Sequence, residues 1–366
     1  MHDARRRPRQ RGAWISSIAA IILVAACGDG PRADDEPTTA PTSVTATADG
    51  TAGDADGGDA GQDGADDAVD GSDGGIKLDV GGPDTAGSAD DGGSADECTN
   101  VDVLFVIDNS ASMADQQQSL IASFPGFVEG MKSNLELAES FHIGVVTSDA
   151  YDFNAPGCRG LGDLVTQTGG LESSQLPCGP YTSGARYMDD SEPDLGTAFA
   201  CAGQVGINGN DDEKMLRATL DALEPSHNDP AGGECNAGFA RDDSLLVIVL
   251  ISDEDDVAEP YGCDPDDFFD NPCDTVGSGG DPDAWVQELA GYKSNIDSNV
   301  VVLSLVGLAG GNSCGAVPAS KLIGFANRFG ANGFTDDVCA SSYDEFFANA
   351  LPIIDQACED YIPPEG

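Results

Sequence analysis

Apolar residues are spread unevenly along the chain's 366 residues. From Gly28 to about Ala95 large apolar side chains are almost absent, and after Cys98 they return in two rhythms. The first is a set of short, nearly continuous runs: Val101–Ile107 (VDVLFVI), Phe141–Ser148 (FHIGVVTS), Ser244–Ile251 (SLLVIVLI), Val300–Val306 and a weaker segment at Gly333–Asp337. Such runs predict strands buried on both faces, the habit of parallel sheets covered by helices. The second rhythm has apolar residues three and four apart. It predicts helices over Ala114 to about Ser140 (with a kink at Pro125), Leu195–Val205, Glu213–Leu223, Ala284–Lys293, Ala319–Phe329 and Tyr343 to about Asp360. Strands alternating with helices predict an α/β domain over 98–362, doubly wound, with a mostly parallel sheet and helices on both faces.

The apolar-poor stretch before it reads differently. Residues 27–97 are dominated by Gly, Asp, Ala, Thr and Ser, so no core offsets chain entropy and a disordered tether is expected. Its Asp-Gly pairs are irregularly spaced and lack the recurring apolar residue of calcium-binding repeats. A flexible segment of this length spans roughly 45 Å on average. Ahead of it, residues 1–26 pair a basic stretch (Arg5, Arg6, Arg7, Arg9, Arg11) with a short apolar run from Ala13 to Ala26. That combination predicts an export signal rather than a membrane span. The ending Val24-Ala25-Ala26-Cys27 resembles the lipobox of bacterial lipoproteins. The resemblance implies cleavage before Cys27 and lipidation of its thiol, with Gly28 favouring the outer membrane.

Charge and cysteines narrow the picture. The chain carries 16 basic and 65 acidic residues, a formal charge of -49. Nucleic acid is excluded as a partner for want of a basic face, and membrane contact is expected only through the lipid anchor. Eleven cysteines predict an oxidising compartment, and without Cys27 the remaining number is even. The candidates are Cys98, Cys158, Cys178, Cys201, Cys235, Cys263, Cys273, Cys314, Cys339 and Cys358. Pairings offered by proximity are Cys158–Cys178, Cys201–Cys235, Cys263–Cys273 and Cys314–Cys339, with Cys98–Cys358 tying the domain's ends for about 4–5 kcal/mol in the chain-entropy model.

Candidate chemistry gathers at strand ends. Val101–Ile107 runs straight into Asp108-x-Ser110-x-Ser112, and the Ser244–Ile251 strand closes on Asp253 in VLISDEDD. In covered parallel sheets ligands bind past the carboxyl ends of the strands. A carboxylate with two hydroxyls on one loop makes a hard, all-oxygen site suited to Mg²⁺, Mn²⁺ or Ca²⁺. Glu254, Asp255 and Asp256 form either a second cation site or a solvated acidic loop.

Asp108-x-Ser110-x-Ser112, then Thr197 in LGTAF, then Asp253 resembles, in order, the metal-ion-dependent adhesion site of the von Willebrand factor type A domain. The resemblance spans Val101 to about Asp360. It implies that Asp108, Ser110, Ser112, Thr197 and Asp253 hold one divalent cation, and that a protein or glycan partner completes its shell through a carboxylate. The segments GINGNDDEKM and NAGFARDDSLLVIVLISDEDD are also similar to a group of bacterial secreted, cysteine-bearing members. The long segment from Asp149 to Pro193 is expected on the same rim, where Tyr151, Phe153, Tyr181, Tyr187 and Tyr261 either anchor a partner or pack within their loops.

Enzymatic readings lack their residues. A phosphatase of the haloacid dehalogenase kind needs a second Asp where Ser110 stands, and a dinucleotide site needs Gly-x-Gly-x-x-Gly. His142 reads as a strand residue and His227 as a turn residue. No Cys-x-x-Cys pair suggests zinc. A non-enzymatic, monomeric envelope adhesion module is therefore expected, with a structural envelope protein bearing a degenerate metal site as the alternative, and a metal-dependent hydrolase a more distant one.

Overall fold

The computed structural model describes residues 98–134, 138–210, 212–256, 277–310 and 312–364. The chain divides into two units, Met1–Asp84 and Thr85–Gly366, and every described residue lies in the second. The export signal, Cys27, the acidic linker, Tyr261, Cys263 and Cys273 fall outside the described residues.

The described elements are β1 (Asn100–Ile107), α1 (Ala114–Asn134), β2 (Ser140–Thr147), β3 (Met188–Asp189), α2 (Leu195–Gly203), α3 (Met215–Leu223), α4 (Pro225–Asn228), β4 (Leu245–Ser252), α5 (Pro282–Leu289), α6 (Ile296–Asn299), β5 (Val300–Val306), α7 (Ser320–Asn327), β6 (Gly333–Asp337) and α8 (Asp344–Glu359), with a 3₁₀ turn at Gly330–Asn332. The strands form one six-stranded sheet in the order β3-β2-β1-β4-β5-β6. All neighbours pair parallel except β2 and β3.

Successive side chains on β1 enter opposite faces of the sheet, as pleating requires. Val103, Phe105 and Ile107 pack with Phe124 and Phe127 of α1, Phe199 of α2 and Phe347 of α8. Leu104 and Val106 pack with Leu216 of α3, Trp285 of α5 and Phe325 of α7. This two-sided burial is why the strand runs lack polar alternation. Helix α1 passes through Pro125 and ends at Asn134, short of the predicted Ser140. Helix α5 begins early, at Pro282, because the Asp281 carboxylate accepts from Ala284 N and proline suits the first turn. The β3 bridge, α4 and α6 were not predicted; two to four residues are too few to show a period.

Four disulfides form among the described residues, the mark of an oxidising environment outside the cytoplasm. Cys98–Cys358 and Cys314–Cys339 pair as expected. The other two expectations are corrected: Cys158 bonds Cys235, and Cys178 bonds Cys201. The 149–193 segment has almost no strand or helix of its own, so its cysteines staple it outward, to α2 and to the turn before β4, rather than to each other. Among the described residues no helix is long and apolar enough to cross a membrane.

Candidate metal centre

Strand register builds the centre. Strands β1 and β4 pair in step, Ile107 beside Ile251, and Asp108 N donates to Ile251 O at 3.0 Å. Beyond that bond the chain leaves β1 toward β2 and leaves β4 toward β5, so the strand order reverses between them. A crevice opens at the carboxyl edge of such a reversal. Asp108 and Asp253 leave the two strands on either side of it.

Four of the five expected ligands meet there. Asp108 is fully buried; its Oδ1 accepts from Ser110 N at 2.7 Å and its Oδ2 from Ser252 Oγ at 2.6 Å. Ser110 Oγ and Ser112 Oγ lie 3.3 Å apart, and Ser112 Oγ donates to Asp253 Oδ1 at 3.0 Å. Ser110 and Asp253 are buried while Ser112 is exposed, so the cluster opens to solvent on the Ser112 side. Burial raises the Asp253 carboxyl above its usual range. Burial, aided by Asp253, raises Asp108 to about 6 against the hydrogen bonds from Ser252 and Ser110.

The fifth expected ligand, Thr197, is engaged by another acid. Thr197 is exposed on the first turn of α2. Its backbone N and its hydroxyl both donate to the Asp194 carboxylate, at 3.0 and 2.7 Å. Its hydroxyl donates to the carboxylate that caps α2, and α2 shares the α1 face of the sheet.

A further acid, Glu213, lies near Asp108. Helix α2 packs on one face of the sheet and α3 on the other, so the chain between them must cross the rim beside Asp108. Gln117 clamps that crossing, donating to Gly206 O at 2.9 Å and accepting from Gly206 N at 3.0 Å. Gly209 N donates to Asn109 O at 2.7 Å, and a Cβ at Gly209 would sit 2.6 Å from the same oxygen. Only glycine allows that approach. At the end of the crossing, Lys214 N donates to Ser148 O at 3.0 Å and fixes Glu213.

The Glu213 side chain is fully buried and neither carboxylate oxygen has a hydrogen-bond partner. The nearby Ser148 hydroxyl donates instead to Asn109 Oδ1 at 3.1 Å. Burial, then the charges of Asp108, Glu254 and Asp149, push its carboxyl up to about 10. Among the described residues no ion pair reaches Asp108, Glu213 or Asp253. Carboxylates and hydroxyls, excess negative charge and an orphaned buried acid fit a hard divalent cation. Among the described residues no three His, Cys, Asp or Glu side chains are gathered closely enough to hold a metal ion by themselves. A sequence signal for Glu213 existed: it stands at the start of the predicted Glu213–Leu223 helix, on the way from β2 to the Asp253 strand.

Asp255 and Asp256 are buried rather than part of a solvated loop, and their carboxylates are taken up by hydrogen bonds. Asp255 accepts from Ser320 Oγ, Lys321 N and Leu322 N at 2.9, 3.0 and 3.2 Å, capping α7. Asp256 accepts from Leu216 N at 2.8 Å and Ser278 N at 2.7 Å, capping α3. Both satisfy orphan N–H groups at helix starts. Glu254 remains beside Glu213. Of the candidate anchors, Tyr151 and Tyr181 are buried and Tyr187 packs on His142 and Phe239, whereas Phe153 is partly exposed.

No family model matches the chain, and no curated protein matches it. Two solved structures are similar to it: proximal thread matrix protein 1 of the mussel byssus, and the pilus adhesin SpaC of Lactobacillus rhamnosus GG in its open conformation. The first is 14% identical with a TM-score of 0.36, covering 72% of this chain and 50% of that one. The second is 14% identical with a TM-score of 0.36, covering 71% of this chain and 30% of that one. The chain thus spans half or less of each, and at these values neither likeness informs function.

Proposed function

We propose that the folded unit is a divalent-cation-dependent binding module of the von Willebrand factor type A kind. It is carried by an exported lipoprotein, anchored through Cys27 in the outer membrane and held off it by the acidic linker. The observation that carries this reading is the convergence of Asp108, Ser110, Ser112 and Asp253 at the strand-order reversal, beside the unpartnered Glu213. These residues would hold Mg²⁺, Mn²⁺ or Ca²⁺, and the bound cation supplies a Lewis-acidic contact for an oxygen of a protein or glycan partner. Asp108 and Asp253 bring the charge, Ser110 and Ser112 bring neutral donors, and Gln117 holds the crossing segment over them.

Binding rather than catalysis suits the surroundings. His142 Nδ1 lies 2.8 Å from Phe239 O, and His227 Nδ1 lies 2.8 Å from Asp221 O, so neither is offered to a substrate at the centre. The test is thermal unfolding of the exported protein in chelator and then in each cation, with Asp253→Ala beside it. Cation at about 100 times its dissociation constant adds about 2.7 kcal/mol, a shift of several degrees at this size. A shift in the wild type that is lost in Asp253→Ala supports the reading; no shift with any cation overturns it.

A further inference from the structure

We infer that Glu213 supplies from within the chain the carboxylate that a partner would otherwise bring, so the cation site is closed to external carboxylates and meets its partner through neutral oxygens. The inference rests on the cation-site reading and specifies what that site accepts.

Each other acid around the centre already has its own task. The Asp149 carboxylate accepts from Asn109 Nδ2 at 3.2 Å and Asn210 N at 2.8 Å. Asp255 and Asp256 cap helices. Glu213 is buried with two empty oxygens. A buried carboxylate without partners is costly unless something neutralises it. Protonation is the alternative to a cation, and among the described residues the nearby Ser148 hydroxyl is the one group placed to hydrogen-bond the acid. A cation shared with Asp108 satisfies both oxygens and removes the repulsion between the two acids. Position agrees: the crossing segment is pinned to the β1 exit by Gly209 N and to the β2 exit by Lys214 N, and Glu213 lies between those pins.

Charge then decides what the site accepts. Asp108 and Asp253 alone match a divalent cation. Glu213 makes the loaded centre net negative, and Glu254 beside it adds to that. An incoming carboxylate meets repulsion, and the position it needs is occupied. Hydroxyls and carbonyls meet neither obstacle.

The test uses the exported protein loaded with Mn²⁺, whose bound water is counted by water-proton relaxation, with glutarate as the carboxylate probe. Three proteins are compared: wild type, Glu213→Thr and Glu213→Gln. Expected results are no displacement of manganese-bound water by glutarate in wild type, and additional bound water with displacement by glutarate in Glu213→Thr. Glu213→Gln is expected to weaken Mn²⁺ binding at least about tenfold while raising the unfolding temperature in chelator. That rise is a result a purely structural acid would not give. Displacement of water by glutarate in wild type, equal bound water in wild type and Glu213→Thr, or a lowered unfolding temperature for Glu213→Gln in chelator each overturns the inference. Failure of the wild type to bind Mn²⁺ at all is a different result: it overturns the cation-site reading itself.

Discussion

Asp102 and Asp108 stand at opposite ends of the same strand, both fully buried. Asp102 is surrounded by donors, one of them a base. Arg241 gives it a backbone N–H at 2.7 Å and its guanidinium Nε at 2.8 Å, and Ser244 Oγ adds a third donor at 2.7 Å. Arg241 is itself tied to Asn100 and Ser140. Lys293 Nζ closes the cluster with bonds to Arg241 O and Asp242 O at 2.7 and 3.0 Å. Asp108 receives one backbone N–H and one hydroxyl, and its charged neighbours are Asp253 and Glu213. The same side chain, equally buried, is neutralised by the chain at one end of β1 and not at the other. A buried acid with its counter-charge in place holds the fold together. One without it is raised toward protonation, and under the proposed function a cation at the carboxyl edge of the sheet would supply the missing charge.

The contrast is broken most directly by removing the acids. Breaking a buried ion pair costs about 3–5 kcal/mol because the surviving partner is left uncompensated. Asp102→Ala is therefore expected to lower the unfolding temperature by roughly 10 °C, with or without cation. Asp108→Asn in chelator is expected to leave it unchanged or higher, since repulsion with Asp253 and Glu213 is relieved, but to abolish the cation-induced rise. Equal losses for the two variants in chelator would show that the two ends of β1 are equivalent after all.

A pH series sharpens the same contrast at smaller amplitude. Asp108 and Glu213 titrate higher in the folded chain than in the unfolded one, at about 6 and about 10. A folded state that binds more protons loses stability as pH rises. In chelator, stability is thus expected to fall from near pH 4 to 6 on account of both acids, and to go on falling toward pH 10 on account of Glu213 alone. The slope is at most about 1.4 kcal/mol per pH unit for each group. Saturating cation keeps both acids ionised and is expected to flatten the profile. Glu213→Gln is expected to make the fall shallower below pH 6 and to flatten it above pH 6. Calorimetry from pH 5 to 8 with and without Mg²⁺ checks the sign; stability that rises with pH in chelator sinks the argument.

Much of this was legible in the sequence, for physical reasons that also mark the limits. Strands β1, β4 and β5 are buried on both faces, so their apolar runs fix both their existence and where they stop. Asp108 and Asp253 were placed because each follows such a stop. Glu213 was missed because more than one helix lies between β2 and β4, α2 and α3 among them, and sequence does not say which one starts beside Asp108. That depends on α2 sharing a face with α1, a tertiary fact carried by the stacking of Phe199 on Phe124 and its edge contact with Phe105. The disulfide partners of Cys158 and Cys178 were missed for a related reason. Their segment is irregular, and only the packing of its neighbours brings Cys235 and Cys201 within reach.

The smallest expected effect separates two candidates for one role. Thr197 and Glu213 both precede the Asp253 strand, and under the proposed function they compete for one place at the cation. Thr197 is exposed and its hydroxyl serves Asp194. Surface substitutions of this kind usually stay within about 0.5 kcal/mol. Thr197→Ala is therefore expected to move the unfolding temperature by only about 1–2 °C and to leave Mn²⁺ affinity unchanged, as titration calorimetry would read it. A large loss of Mn²⁺ affinity in Thr197→Ala would mean that the start of α2 swings toward Asp108 when the cation enters. Glu213 would then be the residue displaced, and the crossing segment clamped by Gln117 would be the part that moves. An unchanged affinity keeps the assignment on the side chain that is already buried beside Asp108 and has no partner of its own.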